Sequence, residues 1–144
     1  MAQSPYTAVN TDLGLISTLA GAGSGTVSVS PAGPPIYFTN SGNGRLDIRF
    51  YCSAVSGTSP TINLILQGYD VASGQFFTLG STGAFTPVVG NLYRLTCSTG
   101  ITAPGTTPNF GISSPMPPYW RVQYTIAGTS PIISGTIGAA SLVA

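Results

Sequence analysis

The chain contains no lysine, no glutamate and no histidine. Its only charged side chains are Arg45, Arg49, Arg94, Arg121, Asp12, Asp47 and Asp70. Charged residues are thus 5% of the sequence, against about 25% in an ordinary soluble domain. Each absence removes a class of function. Without histidine there is no common general base and no Ser-His-Asp or Cys-His arrangement. Without lysine there is no Schiff-base nucleophile and no P-loop lysine. Four arginines are too few to release the counterions that nucleic-acid binding requires. Two cysteines, Cys52 and Cys97, cannot complete a four-ligand zinc site, and three scattered carboxylates make a poor calcium cage. No cofactor or metal is expected, and no catalytic residue.

The first ten residues show no cationic segment leading into an apolar one, and "LGLISTLAGAG" is too short and too broken by glycine to span a bilayer. The expectation is synthesis in a cytoplasm without export, and no membrane partner.

What is abundant is neutral. Ser, Thr and Gly exceed a third of the 144 residues, and Leu, Ile, Val and Phe supply a quarter, enough for a packed core. A surface of hydroxyls, amides and backbone suits a protein packed against other protein. It also fits a secreted neutral domain. Residues 1–35 hold "SPYTAVN", "GAGSG" and "SPAGPP", turn and linker chemistry around two ordered candidates. "DLGLISTLA" fits either a short helix capped by Asp12 or a strand. "TVSVS" alternates as a strand. "GAGSG" lacks the strand and helix that a phosphate loop needs. This segment is expected to be an extended N-terminal arm.

From residue 36 the period is two. In "RLDIRFYCSAV", Leu46, Ile48, Phe50 and Cys52 face one way while Asp47, Arg49, Tyr51 and Ser53 face the other. "TINLILQGY", "QFFTL" and "YRLTC" continue the pattern, and a proline-rich loop is expected over about 98–118. "YWRVQYTIA" then sets Trp120, Val122, Tyr124 and Ile126 against Tyr119, Arg121, Gln123 and Thr125. Short strands between turns at spacings near ten residues predict an all-β domain over 36–144, an antiparallel β-sandwich of jelly-roll or Ig-like type. Cys52 and Cys97 read as small buried hydrophobes, though a disulfide would be possible if their strands faced each other.

One motif repeats. "GTSP" begins at Gly57 and again at Gly128, each time between two extended runs and after an arginine. Glycine with Ser-Pro predicts a tight reversal, hence two matching hairpins. Arg49 is eight residues before its glycine and Arg121 seven, so a bulge is expected in one copy.

The carboxylates carry no convincing chemistry. Asp47 and Asp70 could be imagined as a glycosidase pair. Asp47, however, lies two residues from both Arg45 and Arg49 and fits a surface ion cluster. Asp70 opens "DVASG", where a short carboxylate bonds the turn backbone. A Trp/Tyr platform around Tyr119 and Trp120 could stack on sugars, but alternation places Trp120 in the core. The opposite face, with Tyr119, Arg121 and Gln123, and the Arg49/Tyr51 face of the earlier strand, have the composition of protein interfaces.

The runs "LDIRFYCSAVSGTSPTINLILQGYDVASGQFFTLGSTGAF", "YRLTC" and "YWRVQYTIAGTSPIISGTI" resemble small β-sandwich structural proteins of tailed bacteriophage virions, over about residues 45 to 137. The resemblance implies a capsid decoration or cement protein on the head surface, often a homotrimer, bound to the major capsid protein. A tail or baseplate component and a β-sandwich carbohydrate-binding module are the alternatives.

Overall fold

A computed structural model describes residues 11–31, 33–40, 44–101 and 108–142. Among them there is no helix. Eight strands run in chain order: β1 (Thr11–Ala22), β2 (Gly25–Val29), β3 (Phe38–Thr39), β4 (Arg45–Asp70), β5 (Gln75–Ser81), β6 (Leu92–Ser98), β7 (Asn109–Ser113) and β8 (Tyr119–Leu142). The hydrogen-bonded path is β1-β8-β4-β6-β7, with β2 and β3 also on β8 and β5 on β4. Every pairing is antiparallel except β6 with β7, which is parallel. The fold is all-β, mostly antiparallel, in one mixed sheet.

The two long strands organise everything else. β4 and β8 pair with each other along nearly their whole length, from Arg45↔Leu142 to Gly68↔Trp120. The first half of β4 lies between β6 and the second half of β8. Its second half lies between β5 and the first half of β8. β1 extends the sheet beyond the second half of β8, and β2 and β3 beyond the first.

The division between halves falls at the GTSP motifs, and here the hairpin expectation is corrected. Neither motif reverses the chain. Each is a corner within a continuous strand, and the two corners meet at the pair Thr58↔Thr129. Their backbones match. Gly57 and Gly128 have φ of 104° and 129°, and Ser59 and Ser130 have φ of 50° and 46°. The contacts are reciprocal. A Cβ on Gly57 would stand 2.5 Å from the Ser130 carbonyl oxygen and 2.9 Å from Pro131 Cα. One on Gly128 would stand 2.8 Å from the Ser59 oxygen and 3.1 Å from Pro60 Cα. Glycine is required because the φ values are hostile to L side chains and the opposite backbone fills the space. The extra residue of the first copy is absorbed in a bulge between Cys52 and Ala54, ahead of the corner.

Alternation becomes burial on both sides of the corner. Leu46, Ile48, Phe50 and Cys52 from the first half of β4 share one hydrophobic cluster with Ile62, Leu64 and Leu66 from the second. Trp120, Val122, Tyr124, Ile126, Ile133 and Ile137 of β8 join it. The ring of Phe85, whose backbone bridges to Ile62, lies 4.7 Å from Tyr93 of β6 and 5.2 Å from Phe110 of β7. Each such side chain, fully buried, contributes about 1.5–3 kcal/mol of hydrophobic stabilisation.

Three further expectations are refined. The described part of the segment expected to be an arm carries β1 and β2, both paired to β8, with Leu19 and Val29 in the core. "DLGLISTLA" is a strand. The proline-rich stretch expected as one loop contains β7.

Candidate interface patches

The residues singled out from the sequence fall into two groups, one on each side of the corner. Arg49 and Tyr51 belong to the first half of β4. Tyr119, Arg121 and Gln123 belong to the first half of β8, opposite the second half of β4.

Around Arg49 and Tyr51 the outward face of the sheet is shallow and apolar. In register across it, Leu15 pairs with Gly138 and Gly138 with Arg49. In the next row Thr136 pairs with Tyr51 and Tyr51 with Leu92. These residues line a groove of about 310 Å³ together with Gly14. Leu15, Tyr51 and Leu92 are 63%, 44% and 48% exposed, high for large apolar groups on neighbouring strands. Beyond Leu92 the preceding loop carries exposed Val88 and Val89, and its Gly90 N–H donates to the Cys52 carbonyl. Sequence reasoning missed Leu15 and Leu92. Leu15 lies in a run whose fold was ambiguous, and Leu92 opens its strand.

The Arg49 row continues to Arg94 on β6, and an ion pair ties it to Asp47 in the next row. Arg94 Nη2 donates to Asp47 Oδ2 at 2.8 Å, and Thr96 Oγ1 donates to Asp47 Oδ1 at 2.8 Å. Asp47 was expected at the surface beside Arg45 and Arg49. It is instead 5% exposed, and these two partners both come from β6, the neighbouring strand. A buried carboxylate held by an arginine and a hydroxyl has a structural task, since each of its oxygens accepts a bond from within the sheet.

On the other side of the corner the outward face is an aromatic ladder ending in amides and hydroxyls. Tyr37 stacks on Tyr69 at 4.7 Å between centroids and tilts against Tyr119 at 4.7 Å. Tyr69 tilts against Phe76 at 4.8 Å. Arg121 Cζ lies 3.4 Å over the Phe76 ring, and its Nε donates to Gln67 Oε1 at 2.8 Å. Burial lowers the pKa of its guanidinium, which stays cationic. Gln123 Nε2 donates to Ser28 Oγ at 3.0 Å, and Thr26 and Thr125 hydroxyls are 3.1 Å apart. Trp120, one residue away, is buried as alternation predicts and stacks on Phe38 at 4.7 Å. Tyr37 and Phe76 carry little signal in the sequence because each lies on a short candidate strand, "IYFTN" and "QFFTL", that shows no partner by itself.

Asp70 behaves as expected. Its carboxylate accepts from Ser73 Oγ at 2.6 Å and from the Ala72 and Ser73 amides at 3.3 Å, closing the β4–β5 turn. The Ser73 hydroxyl first, and the two amides after it, hold its pKa below the ordinary carboxylate value. Cys52 and Cys97 are free and buried. Cys97 is opposite Leu46 and Cys52 lies six residues further along β4, about 20 Å at strand rise, so the two cannot bond. No cluster of three potential metal ligands occurs among the described residues.

No family model, curated protein or solved structure matches the chain.

Proposed function

We propose that the chain is a non-enzymatic virion structural subunit, a decoration protein that binds the major capsid protein on the outside of a phage head shell as a homotrimer and stabilises it. In this reading the two halves of the sheet pack as a β-sandwich around their shared core. The observation that carries the proposal is the exposed Leu15–Tyr51–Leu92 patch with Arg49 at its centre. Tyrosine and arginine amid aliphatic side chains are the residue types that dominate binding energy at protein interfaces. A surface with so few charges gains little from standing alone in solvent and is suited to being covered. The bound state also offers cover for sheet edges such as β1, β5 and β7.

The test uses purified chain and head shells of the virus that encodes it. The expected result is saturable co-sedimentation, a trimer by light scattering, and a shell that melts at higher temperature once coated. Tyr51→Ala and Arg49→Ala should each weaken shell binding about tenfold or more, as hot-spot truncations do. Failure of the native chain to bind, or full binding by both variants, rejects the proposal.

A further inference from the structure

The second patch holds a cleft on the other side of the corner from the Leu15–Tyr51–Leu92 surface. It has a volume of about 540 Å³ and is lined by Tyr69, Asp70, Val71, Phe77, Pro118 and Tyr119. Its position is set by β4 and β5, which run out together through the pairs Gly68↔Phe77, Tyr69↔Phe76 and Asp70↔Gln75. Phe77 leans over Gly68, its ring tip filling the space a Cβ would need, and remains 45% exposed. The platform is preorganised. Tyr37 is wedged against both Tyr69 and Tyr119, Phe76 braces Tyr69, and Arg121 covers Phe76. Rings locked in this way lose little side-chain entropy on binding.

Four kinds of ligand sit on aromatic side chains, and one of them, an organic cation, meets a platform that already holds its own cation in Arg121 over Phe76. Nucleobases come with phosphates and need cations, as single-strand-binding grooves show. Here the rim carries a carboxylate, and the cation of this patch, Arg121, is occupied by Phe76 and Gln67. Proline-rich peptides dock aromatic grooves, but a proline has no N–H, so its backbone offers only acceptors. Asp70 is an acceptor as well and adds nothing to binding them. A sugar ring offers what the cleft lacks. Its C–H face lies on an aromatic ring, and its hydroxyls donate to a carboxylate. The Asp70 oxygens already accept from Ser73 and two turn amides, yet an ionised carboxylate has about four acceptor sites and the group is exposed.

We infer that the Tyr69–Tyr119 cleft, with Asp70 at its rim, is a binding site for neutral oligosaccharides. Tyr119 supplies stacking surface beside Tyr69, and Asp70 fixes the register of the sugar by accepting hydroxyl protons. The site is open rather than enclosed and takes an internal segment of a glycan chain. The inference does not depend on the shell reading, since it uses the other side of the corner.

The experiment is saturation-transfer NMR on the full chain with cellohexaose, maltohexaose and chitohexaose, followed by titration of any that respond. The expected result is transfer to ring C–H protons of at least one sugar, with a dissociation constant that Tyr119→Ala weakens tenfold or more. Tyr119→Phe should keep most of the affinity, because stacking needs the ring. Tyr119→Ala loosens Tyr37 as well, so Val71→Arg provides an independent block: Val71 is exposed at the cleft mouth and its replacement leaves the fold alone. Asp70→Asn should weaken binding while leaving the aromatic transfer pattern in place. Absence of transfer from all three sugars at millimolar concentration overturns the inference. So does binding untouched by both Tyr119→Ala and Val71→Arg, or saturable binding of decaproline in place of the sugars.

Discussion

Replacing Gly57 by alanine tests the corner directly. At φ of 104° an L residue lies outside its stable wells, which costs about 1–3 kcal/mol. The added methyl would stand 2.5 Å from the Ser130 oxygen and 2.9 Å from Pro131 Cα, both backbone atoms that no rotamer change can move. Overpacking of that kind adds about 1–3 kcal/mol. The expected loss is about 4 kcal/mol, from a total that for a domain of this size is about 5–15 kcal/mol. Gly83 provides the control. Its φ is 71°, and an added methyl would meet nothing within 4 Å, so Gly83→Ala carries the backbone cost alone, about 1–2 kcal/mol. In urea, with a slope of about 2 kcal/mol per molar, the midpoint should fall by about 2 M for Gly57→Ala and by less than about 1 M for Gly83→Ala. Gly128→Ala should resemble Gly57→Ala. The double substitution should cost less than the sum by at least about 0.5 kcal/mol, because one separation of the corners relieves both clashes. Equal losses at Gly57 and Gly83 would refute the interlocked geometry, and strict additivity of Gly57 and Gly128 would refute the shared contact.

Two further predictions concern titration. Burial pushes the Cys97 thiol up to about 11 and raises Cys52 as well, so neither should react with Ellman's reagent at pH 8 until the chain is unfolded in urea, and fast reaction of the native protein would contradict their burial. Because Cys97 ionises later in the folded state than in the unfolded one, its contribution is complete below pH 9.0 and is lost as pH rises towards 11; Cys97→Ala should flatten that decline in a pH series of urea midpoints. Asp70 has the opposite sign. Its folded pKa is depressed, so its stabilisation of the turn is present above pH 3.8 and disappears as pH falls through the lower folded value. Asp70→Asn should remove the acid-side change in Gly74 amide protection, an amide that donates to the Asp70 carbonyl at 2.8 Å, and an unchanged profile would count against the turn's dependence on that carboxylate.

Much of the fold was legible because alternation is a local property that burial converts directly into packing. Leu46 to Cys52, Ile62 to Leu66, Tyr93 to Cys97 and Trp120 to Ile126 all lie inside as their period requires. What was not legible depended on distant partners. The prolines around Asn109–Ser113 hide a strand whose place is fixed by parallel pairing to β6, and parallel pairing leaves no hairpin turn in the sequence. "DLGLISTLA" mixes small and apolar residues, and only its pairing with β8 decides for a strand. Glycine with Ser-Pro calls for positive φ in a reversal and in a bend alike, so local chemistry could not tell a hairpin from a corner. The five candidate surface residues were found by asking which face alternation leaves outside. That question cannot reveal that they form two patches, nor that Tyr37, just ahead of β3, completes one of them.

The repeated motif follows from the contact it makes. β4 and β8 are antiparallel, so a local two-fold axis through the Thr58↔Thr129 pair exchanges one strand for the other. Under that exchange Gly57 against Ser130 and Pro131 becomes Gly128 against Ser59 and Pro60, which is the contact observed. A self-complementary contact of this kind requires the same surface on both sides, as in a symmetric dimer interface. A single GTSP corner facing an ordinary strand would bend away from it, and the ladder between the two strands would open at the bend. Two copies offset each other and carry the pairing across the corner on the single pair Thr58↔Thr129, with a register shift on either side. The two patches lie on opposite sides of the Thr58↔Thr129 pair, each presented by its own stretch of β4 and β8. Loosening the corner should therefore disturb both surfaces at once, whereas substitutions such as Tyr51→Ala and Val71→Arg act on one and spare the other.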